Sequence, residues 1–212
     1  MTGLSISARM ISMKILVFGG FLGSGKTTII RKVLEGLVSI GQTAAVIENE
    51  IGEIGIDDQV LSDAGLSVTP LFGGCACCQI SGSLIRAIDR IEFELNPDWL
   101  IIELSGLAMV SDLKNLFRRS GIRHVIRILT VVDCTRFMKL LPSCPELLEG
   151  QISGCDVILL SKTDRSAPDK DLMELVTRNP DIPVLSLSLD LPPKQYCHDL
   201  FQALKGKKVA KS

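Results

Sequence analysis

Gly20-Phe21-Leu22-Gly23-Ser24-Gly25-Lys26-Thr27 sets two glycines, a lysine and a hydroxyl at the G-x-x-x-x-G-K-T spacing. Glycines so placed let backbone N–H groups wrap a phosphate chain, a lysine reaches the outer phosphates, and the threonine hydroxyl is a ligand for Mg²⁺. Gly20, Gly23, Ser24, Gly25, Lys26, Thr27 and Thr28 are therefore the candidate phosphate ligands, Thr27 the candidate Mg²⁺ ligand and Lys26 a candidate catalytic group. Further on, the apolar run Trp99-Leu100-Ile101-Ile102 ends in Glu103 and is followed by Leu104-Ser105-Gly106. An acid at a strand end is suited to hold Mg²⁺ through water or to orient an attacking water, while the Gly106 N–H is suited to sense a γ-phosphate. Glu103 is the first choice for a catalytic carboxylate. A third group, Gly73-Gly74-Cys75-Ala76-Cys77-Cys78, packs three thiols into four residues. Thiolates favour Zn²⁺ or a similar soft ion, and a following helix N-terminus helps to stabilise them. Burial as small apolar residues and pairing as a redox couple are the other readings of these cysteines.

Val157-Ile158-Leu159-Leu160-Ser161-Lys162-Thr163-Asp164 carries S-K-x-D after an apolar run. It resembles the N-K-x-D guanine-recognition motif of GTPases, in which the aspartate accepts from N1–H and the exocyclic amine of guanine while the lysine stem packs on the base. Adenine offers no such pair of donors and would leave the carboxylate unpaired, so Asp164 predicts GTP over ATP. Ser161 and Lys162 complete the candidate base site, and Leu185-Ser186-Leu187-Ser188 is placed to close over the base.

The elements that must position these groups are legible from periodicity. Strands are expected near 14–19, 43–48, 67–71, 99–103, 125–132, 157–161 and 183–187. Helices are expected over 27–40, 80–95, 108–119, 134–141, 145–154, 168–178 and 194–205. Such alternation predicts an α/β fold, a mostly parallel sheet with helices on both faces. Ligands of such sheets bind at the carboxyl ends of the strands, where every motif above falls. The expected organisation is a disordered extension over 1–12, one domain over 13–206 and a frayed tail over 207–212.

With 23 basic and 24 acidic residues among 212 the net charge is −1, so no broad positive field invites nucleic acid. Apolar runs have strand length, short of the ~20 residues a membrane helix needs, and the leading residues do not resemble a secretory signal. A cytoplasmic protein with reduced thiols is expected, and Cys134, Cys144, Cys155, Cys197, His124 and His198 read as packing or surface residues.

Taken in order, Gly20 to Thr27, the segment Ile47-Glu48-Asn49-Glu50-Ile51-Gly52-Glu53-Ile54-Gly55-Ile56-Asp57, Gly74-Cys75-Ala76-Cys77-Cys78, Glu103-Leu104-Ser105-Gly106 and Ser161 to Asp164 resemble the CobW-like branch of the CobW/HypB/UreG family of P-loop GTPases. The resemblance covers about residues 14 to 190. It implies a P-loop NTPase architecture of the SIMIBI class and a GTP-hydrolysing metallochaperone or metal-enzyme maturation factor. The cofactors it implies are GTP, Mg²⁺ and Zn²⁺ or Co²⁺. It also implies that residues 49–53 act as a switch, that Glu50 joins Cys75, Cys77 and Cys78 as a metal ligand, that a metalloenzyme client is the partner, and that a nucleotide-dependent homodimer forms. The chain departs from the pattern in Ser161, where asparagine is usual, and in lacking the usual C-terminal domain, which a partner is expected to replace. Two other functions fit the same motifs: a GTPase chaperone of a cobalamin-dependent enzyme with structural cysteines, and a P-loop small-molecule kinase.

Overall fold

Burial on both sides of the strands decides the architecture. In β1 (Lys14–Gly19), Ile15 and Val17 belong to one apolar cluster while Leu16 and Phe18 belong to another, and all four are buried. A strand apolar on both sides is stable only inside a sheet covered on both faces. The computed structural model, which describes residues 13–48, 67–70 and 80–205, has that form. Strands β2 (Ala44–Glu48), β3 (Ser67–Pro70), β4 (Trp99–Glu103), β5 (Val125–Asp133), β6 (Val157–Ser161) and β7 (Val184–Ser186) join β1 in the order β3-β2-β4-β1-β5-β6-β7. The sheet expected to be mostly parallel is parallel at every pairing among the described strands. It has the P-loop NTPase architecture.

Helices α1 (Lys26–Ser39) and α7 (Pro193–Lys205) cover one face, where Ile30, Val33, Leu34 and Leu37 meet Tyr196, Cys197, Leu200 and the Leu16–Phe18 side of the sheet. On the other face lie α2 (Ile80–Glu94), α3 (Val110–Ser120), α5 (Pro145–Ser153) and α6 (Lys170–Val176), packing Ile88, Phe117, Leu148 and Leu172 against Ile15, Ile102, Ile128 and Ile158. Between β5 and α5 a single turn, α4 (Phe137–Leu140), is all that forms of the helix expected over 134–141. The reason is local. The Asp133 carboxylate accepts from the Thr135 amide at 2.9 Å and its hydroxyl at 2.7 Å, an Asx turn that competes with helical bonding. The helix expected over 168–178 is likewise shorter, starting after Asp169, whose side chain accepts from the Leu172 amide at 2.7 Å.

Parallel pairing brings the carboxyl ends of all strands to one edge. There β1 ends in the phosphate loop, β4 in Glu103, β5 in Asp133 and β6 in Ser161. Among the described residues no helix is long and apolar enough to cross a membrane. The terminal segments, residues 49–57 with Glu50, and Cys75, Cys77 and Cys78 lie outside the described residues.

Candidate functional site

Sharp reversal from β1 into α1 depends on three glycines of positive φ: Gly20 at 131°, Gly23 at 68° and Gly25 at 100°. Gly25 caps α1 without any side-chain bond, and the first turn holds no acid. The amides of that turn and the positive end of the helix dipole are thus left for an anion. Lys26 is 5% exposed and donates to Gly20 O at 3.0 Å and, more weakly, to Phe21 O at 3.4 Å. Its ammonium therefore lies against the loop expected to bind phosphate.

Thr27 and Glu103, 76 residues apart, are in contact: the Thr27 hydroxyl donates to Glu103 Oε1 at 3.0 Å and lies 3.2 Å from Oε2. Glu103 is 3% exposed. Two hard oxygen donors at the mouth of a phosphate loop suit Mg²⁺, which takes few carboxylates and completes its shell with phosphate and water. Gly106 abuts the loop as well, since a Cβ there would stand 2.5 Å from Leu22 N and 2.7 Å from Leu22 Cα. Only glycine permits that approach.

Lys162 turns the chain after β6 with a φ of 57°, held by the Arg165 and Ser166 amides, which donate to its carbonyl at 3.0 and 3.1 Å. This turn brings S-K-x-D onto the phosphate loop. The Ser161 hydroxyl donates to Ser24 O at 2.6 Å, and Lys162 Nζ donates to Gly23 O at 2.9 Å. A cleft of about 600 Å³ lies between the two segments, lined by Ser24, Gly25, Thr28, Ser161, Lys162, Asp164, Leu187 and Ser188, among others. That size lies within the ~300–1,000 Å³ of small-molecule sites. Asp164 stands at its rim with a side chain 80% exposed. Thus Gly20 to Thr28, Glu103, Gly106 and Ser161 to Asp164 converge at one edge of the sheet, and Leu187 and Ser188 line the same cleft.

A family model described as CobW/HypB/UreG, nucleotide-binding domain, matches residues 14–183. The chain belongs to the CobW/HypB/UreG family. It is similar to zinc chaperone CobW of Sinorhizobium sp, 34% identical over 179 residues that cover 70% of this chain and 50% of that protein. Zinc chaperone YjiA of Escherichia coli is 30% identical over 192 residues, covering 84% of this chain and 58% of the relative. The crystal structure of Zn(II)-bound YjiA GTPase from E. coli aligns with a TM-score of 0.62 at 25% identity, over 86% of this chain and 62% of that one. This CobW/HypB/UreG chain therefore spans about half the length of the curated relatives it matches.

Two residues of this CobW/HypB/UreG domain that sequence reasoning missed complete the site. Asp133, 3% exposed at the end of β5, accepts at Oδ2 from Lys162 Nζ at 2.7 Å and from Arg136 Nε at 2.9 Å. Arg136 Nη2 in turn donates to Leu22 O of the phosphate loop. Burial alone pushes the Asp133 carboxyl up, but the bonds from Lys162 and Thr135 and the Lys162 charge bring it below its ordinary 3.8. Its contribution to stability is therefore complete at neutral pH and is lost only as pH falls below 3.8 toward the lower folded value. The sequence signal was present: like Glu103, Asp133 ends an apolar strand. The second residue is Gln151 of α5, fully buried, whose Nε2 donates to Gly106 O at 2.9 Å. Its backbone carbonyl accepts from the Thr130 hydroxyl at 2.6 Å. Gln151 ties the loop after β4 to the helix layer, and its only mark in sequence is a polar residue within an apolar face.

Among the described residues no group of three or more His, Cys, Asp or Glu is gathered as metal ligands. Cys134, Cys155 and Cys197 are buried in the core, and burial pushes the Cys197 thiol up to about 11. His124 pairs with Glu92 at 3.0 Å and His198 with Asp199 at 3.1 Å, both away from the cleft.

Proposed function

We propose that this domain hydrolyses GTP and couples its nucleotide state to binding and delivery of zinc for a metalloenzyme client. One observation carries the reading: Ser161, Lys162 and Asp164 share a cleft with the phosphate loop, so a base and its phosphates would be gripped by residues that touch one another. In this reading the loop amides and the first turn of α1 bind the phosphates, and Lys26 leaves its loop carbonyls to stabilise charge on the outer ones. Asp164 accepts from the guanine edge. Thr27 and Glu103 would hold Mg²⁺, which when bound would neutralise charge on the outer phosphates. Gly106, pressed against Leu22, reports the loss of the γ-phosphate to the loop after β4.

Zinc is the proposed cargo, with cobalt the alternative. Relatives named zinc chaperones support the choice of zinc, and Cys75, Cys77 and Cys78, with Glu50, are the proposed ligands. Three reduced thiols suit the cytoplasm, where the domain is proposed to work, with a nucleotide-dependent homodimer as its proposed assembly. In sequence the cysteine segment lies between β3, which pairs with β2 in the same sheet as the phosphate loop's strand, and α2, and the proposed coupling runs between that segment and the nucleotide site.

Coupling is measurable and reciprocal. Zn²⁺ affinity, read by competition with a chromophoric chelator, is expected to differ at least fivefold or so between the protein bound to a non-hydrolysable GTP analogue and to GDP. Equal affinities would remove the coupling, and a parallel Co²⁺ titration selects the cargo. Base choice is tested separately. Asp164→Ala is expected to weaken GDP binding by about 100-fold, since hydrogen bonds to a charged group are worth ~1.5–3 kcal/mol. ADP binding should not change. An unaltered GDP affinity would refute guanine recognition by Asp164.

A further inference from the structure

We infer that Asp133 is a positioning residue for nucleotide binding: its buried carboxylate gathers Lys162 and Arg136 and, through them, fixes the outer wall of the phosphate loop. The inference rests on the cleft being a nucleotide site. Both cations make the same kind of double contact. Lys162 joins Asp133 at 2.7 Å to Gly23 O at 2.9 Å. Arg136 joins Asp133 at 2.9 Å to Leu22 O. Two consecutive carbonyls of the loop are therefore held outward by cations that share one anion.

Holding a carbonyl outward orients the amide on its other side. In a trans peptide C=O and N–H point in opposite directions, so fixing Gly23 O outward turns the Ser24 N–H inward, where it donates to Phe21 O at 3.1 Å. The same constraint on Leu22 O fixes the Gly23 N–H. Gly23 also makes room for the brace, because a Cβ there would lie 2.8 Å from Arg136 Nη2. Asp133 itself is held on its other oxygen by the amide and hydroxyl of Thr135, at 2.9 and 2.7 Å, so it is a fixed post.

A purely electrostatic role would act in the opposite sense. Removing one negative charge beside a site for an anion tightens binding, whereas losing the brace lets the loop amides wander and loosens it. The sign of the change separates the two.

The test uses dissociation of a fluorescent GDP derivative from the full chain, with melting of the nucleotide-free protein alongside. Asp133→Asn is expected to weaken GDP by about 10- to 100-fold, mainly through faster dissociation. Arg136→Gln should act in the same direction, by several-fold. Asp133→Asn combined with Arg136→Gln should stay within about threefold of the worse single variant, because Asp133→Asn already removes the anion that holds Arg136. Losses that multiply, or GDP affinity in Asp133→Asn that is unchanged or tighter, would overturn the inference. If Asp133→Asn does not fold, Arg136→Gln decides, since that side chain is 39% exposed and lies outside the core. Several-fold faster GDP dissociation in Arg136→Gln supports the brace, and the wild-type rate overturns it. Wild-type protein that binds no guanine nucleotide overturns the site reading and this inference with it. Wild-type binding with unaltered variants overturns the inference alone.

Discussion

Glu103→Ala is expected to lower GTP turnover by about a hundred- to a thousandfold in kcat, the scale of losing a group that organises charge at a reacting phosphate. GDP affinity should remain within about tenfold of wild type, because the loop amides, Lys26 and the base site are untouched. The expectation comes from where the side chain lies. It closes β4 beside β1, is 3% exposed, and receives the Thr27 hydroxyl at 3.0 Å. An acid that merely ended a strand would be in water and would cost little to remove. Glu103→Gln keeps the shape and removes the charge, so a similar loss in both variants assigns the effect to charge. Single-turnover hydrolysis with saturating Mg²⁺ and equilibrium GDP binding are the measurements. Turnover within a factor of three of wild type in Glu103→Ala would take this carboxylate out of the chemistry.

Gly20→Ala is expected to abolish measurable nucleotide binding and to destabilise the fold by ~3 kcal/mol or more. Two costs coincide. At φ 131° an L side chain is strained, and its Cβ would overlap the Val131 carbonyl of β5, a backbone atom that cannot swing aside. Either the loop or the strand must shift, and both carry the site. Gly41 is the control. Its φ is also positive, at 70°, but no atom lies within 4 Å of an added Cβ. Gly41→Ala should cost only the local strain, about 1 kcal/mol, with normal GDP binding. Urea unfolding of the two variants separates strain from collision. Equal destabilisation would mean that close packing at Gly20 is not required.

Local signals read best from sequence. The strand–loop–helix over Lys14 to Ser39 was legible because β1, its glycines and α1 are contiguous, and the acid closing Trp99 to Ile102 was conspicuous as the one charge in its run. Asp133 occupies the same position on its strand, but that run already carries Arg127 and Thr130, so its acid does not stand out. Its meaning depends on Lys162, 29 residues away, and on Arg136, and nothing local says which cation an acid will find. The same carboxylate spoiled the helix expected over 134–141, where apolar periodicity was outweighed by a two-residue hydrogen-bonded turn. Gln151 was hidden because the face of α5 that buries it is otherwise apolar. Strand order was not legible at all. Periodicity locates strands, but their neighbours are chosen by packing between segments far apart in the chain.

That order has a consequence for synthesis. β1 is the first described strand to leave the ribosome and ends at the centre of the sheet, with β4 and β5 as its two neighbours. Lys162 is 139 residues beyond the Gly23 carbonyl it holds. At about 5–20 residues per second, the phosphate loop is translated roughly 7 to 28 seconds before Lys162 exists to support it. A nascent chain of this protein therefore carries a complete nucleotide-binding motif well before it carries a nucleotide site, and nucleotide can stabilise it only as a late, near-final event.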